Sequence, residues 1–192
     1  MFMISDREDK QNKILFSRVN MHLKLTVQKT IPNMIVHWVD QNEIWASRNY
    51  TLYVNKDEKL TFSKVADLKV PFLTRVLGKS QLATRALRLG VIDLRKLKSG
   101  TILVIAGKKI FRSNNGEFKP VYSFKKGLYP SREGWCEDNK GNCYLAEYFL
   151  NNKRDTPSDL LKSTDDGQSW KIICSFQHIR HVHCVQYDPF SQ

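Results

Sequence analysis

The chain has 192 residues, which is enough for one domain with a real hydrophobic core. Its formal net charge of +12 and pI of about 9.6 favour acidic partners such as polyanionic glycans, anionic membrane surfaces or nucleic acid, although a basic surface also serves solubility alone. The first residues are too polar for a signal peptide and no apolar run approaches the roughly 20 residues of a membrane helix, so we expect a soluble cytoplasmic protein.

Apolar and aromatic runs separated by polar turns recur in a four-beat pattern along the chain. Runs of β-branched and aromatic residues bounded by Gly, Asn, Asp and Pro are typical of strands. The pattern predicts three groups of four strands, each forming one antiparallel sheet, over residues 34–67, 91–124 and 134–176. Partial groups over residues 14–29 and 181–192 extend the pattern at the two ends.

The segment between the first two groups breaks this rhythm. Ser80 is a suitable helix N-cap, and Gly90 is a suitable stop. Leu82, Ala86 and Leu89 recur on one helical face, so we predict a short basic amphipathic helix near residues 80–89. Its surroundings form a basic patch, which either binds an anionic surface or is a solvated face at the rim, the interpretation we favour. The patch consists of Arg75, Lys79, Arg85 and Arg88.

The four cysteines form no C-x-x-C pair, so a zinc site is not expected. Cys136 and Cys143 flank a predicted hairpin turn and could face each other across two strands. In a cytosolic protein the better interpretation is a pair of reduced, half-buried thiols.

The most specific local pattern lies at residues 163–170, which read Ser-x-Asp-x-Gly-x-Ser-Trp between two apolar runs. Ser163 and Asp165 can hydrogen-bond the backbone of a turn, and Gly167 can take a positive φ without steric cost. Trp170 then closes the turn and begins the next strand. The pattern therefore predicts a tight, side-chain-organised β-hairpin.

Two weaker copies occur in the same strand context. Residues 55–62 keep the polar start, the acid, the hydroxyl and the aromatic but lack the glycine, and residues 113–118 are two residues shorter. The positions assigned to these copies are Asn55, Asp57, Ser113, Asn115 and Gly116. A spacing of roughly 40–50 residues is typical of propeller repeats.

These three motifs resemble the Asp-box of bacterial neuraminidase (sialidase) repeats, and the resemblance covers most of residues 34–192. It implies an all-β propeller of four-stranded antiparallel blades, with the first strand of each blade innermost. It also implies that the box is a structural turn on the outer part of a blade, away from the central site. Because the pattern gives about half a propeller, we expect either a truncated product or closure by self-association with a second copy. The alternative is a smaller open stack of sheets in which the last strand docks on an existing edge.

The polar cluster at residues 177–183 is the leading site candidate because it leads into a presumed innermost strand. His181 and His183 alternate with period two and so share one face of that strand, next to Arg180. Two imidazoles could bind a metal, relay protons or hydrogen-bond sugar hydroxyls. Because no third ligand with recognisable spacing joins them, we expect neither a metal nor a cofactor. The alternative to a functional site is a pair of neutral histidines that are hydrogen-bonded in the channel lining.

Glu147 is predicted to lie mid-strand among apolar neighbours, where a carboxylate needs a partner such as an arginine or a histidine. Sialidases use an arginine triad, a Tyr–Glu nucleophile pair and an acidic general acid, so the resemblance invites a comparison with Glu147, Tyr148, Arg180 and Arg132. Adjacent residues of a strand point to opposite faces, however, so this Glu and Tyr cannot act as that pair. The sequence therefore does not carry the catalytic set.

Three functions follow from this reading. The first is a non-catalytic recognition or scaffold propeller that binds a protein partner or a glycan at its central face. The second is a sialidase-like glycoside hydrolase or its inactive fragment. The third is a polyanion or membrane-surface binder acting through residues 75–98, and nucleic acid is not the partner we expect. Fold alone does not decide among them, and the first is favoured because half a propeller cannot assemble a catalytic pocket by itself.

Overall fold

The computed structural model describes residues 34–57, 61–78, 80–87, 89–127, 130 and 133–190. Within them the fold is all-β, as the sequence predicts, with three four-stranded antiparallel sheets and two short helices. The strands of each sheet follow one another in chain order, so each sheet is a meander of the kind that forms a propeller blade. The strands predicted over residues 14–29 lie outside the described part of the chain.

The sheets are named blades 1, 2 and 3 in chain order. Blade 1 contains β1 (Ile35–Val39), β2 (Ile44–Arg48), β3 (Thr51–Asn55) and β4 (Ser63–Asp67). Blade 2 contains β5 (Val91–Lys96), β6 (Ile102–Ala106), β7 (Lys109–Asn114) and β8 (Glu117–Ser123). Blade 3 contains β9 (Trp135–Glu137), β10 (Cys143–Ala146), β11 (Ser158–Ser163) and β12 (Lys171–Phe176).

Blade 2 is covered on both faces, and β6 shows why. All five of its residues are buried and apolar. Successive side chains of a strand point to opposite faces, so Val104 packs with blade 1 whereas Leu103 and Ile105 pack with blade 3. The unbroken apolar run is thus the sequence signature of a strand between two neighbouring sheets.

Two apolar cores result, one on each side of blade 2. Leu52 of blade 1 packs in the core that includes Phe111 of blade 2. Leu161 of blade 3 packs in the core that includes Ile110 of blade 2. The blades therefore stack face to face in chain order, which is the arrangement expected of neighbouring propeller blades.

Two helices lie between blades 1 and 2. The helix α2 (Gln81–Leu87) is the predicted one, and Ser80 caps it because its Oγ accepts a hydrogen bond from Ala83 N–H at 3.3 Å. The helix α1 (Phe72–Leu77) was not predicted from the sequence. It begins after Pro71 without a side-chain cap, so the usual N-terminal signal is missing.

The structure corrects two expectations in blade 3. Glu147 does not lie mid-strand, because β10 ends at Ala146. Cys136 lies opposite Tyr144, and Cys143 lies opposite Glu137. The two thiols therefore point to opposite faces of the sheet and do not face each other.

The strand predicted over residues 181–187 is not a regular strand. Among the described residues, its backbone makes one hydrogen bond to the chain just before β9, from Val185 N–H to Glu133 O at 2.8 Å. Val185 also packs with Ala146 and Leu160. This segment, residues 181–189, is called the C-terminal segment below.

Candidate functional site

The hairpin between β11 and β12 is organised by its own side chains. Ser163 Oγ accepts a hydrogen bond from Gly167 N–H at 2.9 Å and donates to Asp165 Oδ1 at 2.8 Å. Asp165 Oδ1 also accepts from Ser169 N–H at 2.9 Å, and Trp170 Nε1 donates to Gly167 O at 3.1 Å. Burial alone would raise the pKa of Asp165, but the hydrogen bonds from Ser169 and Ser163 outweigh it and lower this pKa to about 2.

The hairpin between β3 and β4 repeats this geometry with different residues. Asn55 Nδ2 donates to Asp57 Oδ1 at 2.7 Å, as Ser163 Oγ donates to Asp165. Asp57 Oδ1 accepts from Thr61 N–H at 3.1 Å, which is the counterpart of the bond from Ser169 N–H. The two turns thus share one carboxylate-centred arrangement.

The hairpin at residues 113–118 is different. Asn114 pairs with Glu117, so Asn115 and Gly116 form a two-residue loop with φ values of 49° and 83°. Ser113 Oγ instead accepts a hydrogen bond from Ile102 N–H at 2.8 Å. With two residues fewer, this turn has no loop for a carboxylate to organise.

The 163–170 turn also joins blade 3 to blade 2. Asp166 accepts hydrogen bonds from Ser99 Oγ at 2.6 Å and from Thr101 Oγ1. Arg112 donates to Asp166 Oδ2 at 2.7 Å and to Asp166 O at 2.8 Å. These contacts make the turn a clamp between blades 2 and 3, so its polar residues have a structural role.

The opposite end of blade 3 carries the candidate site. In an antiparallel meander the first and third turns lie at one end, and the second turn and the exit lie at the other. The loop between β10 and β11 and the chain leaving β12 therefore meet. Asn151 joins them, because its Nδ2 donates to Thr156 O at 2.6 Å and to Ile179 O at 3.0 Å.

Three aromatic side chains converge there: Tyr148, His181 and His183, which together are called the His–Tyr cluster. The Nε2 atoms of the two histidines lie 2.8 Å apart, within hydrogen-bond distance. The Tyr148 ring centroid lies 4.5 Å from that of His181 and 6.0 Å from that of His183. The cluster combines a hydrogen-bonded imidazole pair with a phenol ring at the surface.

His181 has unused hydrogen-bonding capacity. Its Nδ1 atom is buried and has no hydrogen-bond partner among the described residues. Burial, followed by the positive charges of His183 and Arg180, lowers the pKa of His181, so the neutral imidazole is favoured. A neutral imidazole can offer either a donor or an acceptor to a ligand.

Glu147 turns away from this cluster. Its side chain is only 1% exposed, and its Oε1 atom accepts hydrogen bonds from Lys125 N–H at 3.1 Å and from Tyr122 OH at 3.5 Å. Burial and the negative charges of Glu147 and Asp159 raise the pKa of Tyr122 to about 12. The expected arginine or histidine partner is therefore replaced by a backbone amide and a phenol.

The C-terminal segment also borders a concavity of about 420 Å³ beside β9. Arg95, Glu133 and Tyr187 contribute to its lining. The Arg95 guanidinium lies 5.5 Å from the centroid of the Trp135 ring, and Trp135 Nε1 donates to Asp93 Oδ2 at 2.9 Å. The concavity therefore presents an arginine together with acidic and aromatic groups beside β5 and β9.

The remaining predicted positions are scattered. Arg180 is exposed just before the C-terminal segment, and Arg75 Nη2 donates to Leu68 O at 2.9 Å. Arg132, Lys79 and Arg88 lie outside the described residues, as does the side chain of Arg85. Sequence reasoning missed the concavity, since Arg95 and Glu133 come from different blades and no local pattern joins them.

Among the residues that the structure describes, no three His, Cys, Asp or Glu side chains lie close enough to hold a metal ion. Neither α1 nor α2, the helices of the described residues, is long and apolar enough to cross a membrane.

No family model matches the sequence, and no curated protein matches it. Among solved structures, the chain is similar to a catalytically inactive virginiamycin B lyase from Staphylococcus aureus, determined with quinupristin. The TM-score is 0.42 and the identity 17%, with 71% of this chain and 39% of that chain covered. The present chain thus spans well under half the length of that protein.

Proposed function

We propose that this chain is a non-catalytic recognition module of the Asp-box propeller type that binds a glycan on its inner surface, at the His–Tyr cluster. The observation that carries the proposal is the convergence of the exposed His183 imidazole with the half-buried rings of His181 and Tyr148. Sugar rings present hydroxyls to hydrogen-bonding groups and apolar faces to aromatic rings. The cluster offers both kinds of contact.

The two matching turns support the Asp-box part of the proposal. Asp57 and Asp165 each accept a hydrogen bond from the side chain two residues before and from the N–H four residues after. Both turns join the third and fourth strands of a blade. A repeated, side-chain-organised turn at the same place in two blades is the property that defines such repeats.

The position of Glu147 supports a non-catalytic role. A general acid or nucleophile must reach the substrate, and this carboxylate is buried against Lys125 and Tyr122. Tyr148 turns instead toward His181. The Glu–Tyr pair that would act in a sialidase is therefore split between the interior and the surface.

The proposal is tested by a glycan array together with a panel of fluorogenic sialosides and glycosides. We expect retention on one class of glycan without turnover of any fluorogenic substrate. The double variant H181A/H183A should lose binding at least tenfold, since hydrogen bonds and ring contacts are removed together. The matched control is H178N, which replaces an exposed histidine three residues before His181. His178 has a φ of 59°, and asparagine tolerates this conformation.

Two results would overturn the proposal. Turnover that H181A/H183A abolishes would favour the glycosidase alternative. Equal glycan binding by the double variant and H178N would place the site elsewhere.

A further inference from the structure

The insert between blades 1 and 2 presents large apolar side chains to solvent. Phe72 is 81% exposed and Leu73 is 68% exposed in α1, and none of the described residues of that helix is buried. Leu82 of α2 is 81% exposed, and Val76 and Leu87 are also exposed. Several large apolar side chains exposed within one short stretch of chain indicate a contact surface.

The orientation of α2 is the reverse of the usual one for a surface helix. Of the predicted apolar face, Leu82 and Ala86 are exposed, whereas Leu89, just after the helix, packs against the core between blades 1 and 2. Ala83 and Thr84 are half-buried. Thr84 Oγ1 donates to Gly78 O at 3.1 Å, so the small polar side of the helix faces the turn from α1. The helix α2 therefore presents Leu82 and Ala86 outward.

The charge of the same stretch restricts what can cover it. Between Asp67 and Asp93 the sequence contains no acidic residue and five basic ones. They are Lys69, Arg75, Lys79, Arg85 and Arg88. A soluble polyanion complements this charge but leaves the apolar side chains in water. An anionic lipid surface covers both, because its headgroups attract the basic residues while its acyl boundary accepts apolar side chains.

A lipid surface also suits the size of the helices. With six and seven residues, α1 and α2 are too short to cross a bilayer or to fill a long protein groove. Side chains such as Phe72 and Leu82 can insert into the headgroup boundary without a matching pocket. The insert would then anchor blades 1 and 2 at the membrane surface.

We propose that residues 69–89, called the insert patch, dock this protein peripherally on an anionic membrane surface. Phe72, Leu73 and Leu82 enter the interface, and the basic residues pair with lipid headgroups. This role is independent of glycan binding at the His–Tyr cluster, which lies at one end of blade 3.

Cosedimentation with vesicles tests the proposal. We use vesicles of phosphatidylcholine alone and vesicles that also contain phosphatidylserine, each at low and high salt. The protein should bind the anionic vesicles at low salt, release at high salt, and bind the neutral vesicles weakly in both conditions.

Two matched pairs of variants separate the apolar and basic contributions. F72S/L73S should weaken vesicle binding on the order of tenfold, whereas L150S/F190S should not, although Leu150 and Phe190 are 75% and 94% exposed. K69Q/R85Q should weaken vesicle binding roughly 25-fold, at about fivefold for each basic residue near the surface. K119Q/K171Q should keep most of the vesicle binding. Because the described side chains changed are exposed, thermal melting should show that all four variants fold.

Two further readouts decide between lipid and other occupants. F72S/L73S should leave retention on a heparin column unchanged, since heparin contacts charge alone. The proposal fails if F72S/L73S binds vesicles as well as L150S/F190S does, or if wild-type protein ignores anionic vesicles. Loss of a dimer in F72S/L73S by sedimentation velocity, without vesicle binding by the wild type, would assign the patch to a second copy of the chain.

Discussion

Arg112 of blade 2 donates two hydrogen bonds to Asp166 of blade 3, from Nη2 to the carboxylate at 2.7 Å and from Nε to the backbone carbonyl oxygen at 2.8 Å. Ser99 and Thr101 of blade 2 bind the same carboxylate. One acidic side chain thus satisfies three donors across the boundary between blades. The relative position of blades 2 and 3 is therefore held by this clamp as well as by apolar packing.

Replacing this acid should destabilise the fold. D166A leaves Arg112, Ser99 and Thr101 without their shared acceptor, and hydrogen bonds to charged groups contribute roughly 1.5–3 kcal/mol. We expect the free energy of unfolding in urea to fall by about 2–3 kcal/mol. The control D155A, in an exposed loop, should change it by less than about 0.5 kcal/mol. Equal effects of the two variants would show that the clamp contributes nothing.

A comparison of two glycines distinguishes the cost of backbone strain from the cost of a steric clash when glycine is replaced by alanine. Gly167 has a φ of 78°, and a Cβ atom there would lie 2.7 Å from Leu103 Cδ2. Gly116 has a similar φ of 83°, but a Cβ atom would meet nothing within 4 Å. G116A should therefore cost about 1 kcal/mol for the left-handed backbone alone, and G167A should cost more because Leu103 must also move. Chemical denaturation of both variants measures the difference; a smaller cost for G167A would contradict the packing described.

The carboxylate of Asp165 should make the stability of the hairpin depend on pH. Its pKa falls from an ordinary value of 3.8 to about 2 in the folded protein. A depressed pKa contributes stability that is fully present above the unfolded value and is lost as pH falls through the folded value. Wild-type protein should therefore be more stable than D165N at neutral pH, and the difference should shrink between pH 3.8 and about 2.

Thermal melting at several pH values checks this. A difference between wild type and D165N that stays constant down to pH 2 would mean that Asp165 is not charged and hydrogen-bonded as described.

The four cysteines should fall into two reactivity classes. Burial raises the pKa of Cys136 to about 11 and that of Cys143 to about 12, whereas Cys174 and Cys184 are exposed. Because the thiolate is the reactive species, a thiol reagent at neutral pH should modify the exposed pair quickly and the other two only after unfolding. The single variants C174S and C184S should each remove one fast equivalent. Rapid modification of all four thiols would contradict the packing of β9 and β10.

The strands could be predicted because their signal is local. The apolar run of β6 and the polar turns around it indicate a strand without knowledge of its neighbours, and the similar residue patterns of the 55–62 and 163–170 turns indicate repetition. The helix α2 was found through Ser80, whereas α1 was missed because Pro71 precedes it without a capping side chain.

The candidate site was harder to predict because it depends on long-range contacts. The sequence identified His181 and His183 as neighbours on one face, but the approach of Tyr148 requires the loop after β10 to fold back. The end of β10 at Ala146 turns Glu147 inward, and no local pattern signals it. The outward apolar face of α2 was likewise hidden, since periodicity identifies a face without saying what covers it.

The double burial of β6 has a consequence for how the molecule opens. Blades 1 and 3 each pack on blade 2. The unfolding of one described sheet should therefore be coupled to that of the sheet packed against it, as in a linear array of repeats. Amide exchange should then be slowest in the middle sheet and faster toward the flanking sheets. A sugar held between the C-terminal segment and the loop after β10 would slow the opening of blade 3, and a bilayer at the insert would do the same for the boundary between blades 1 and 2. Each ligand would thereby protect a different side of the same central strand.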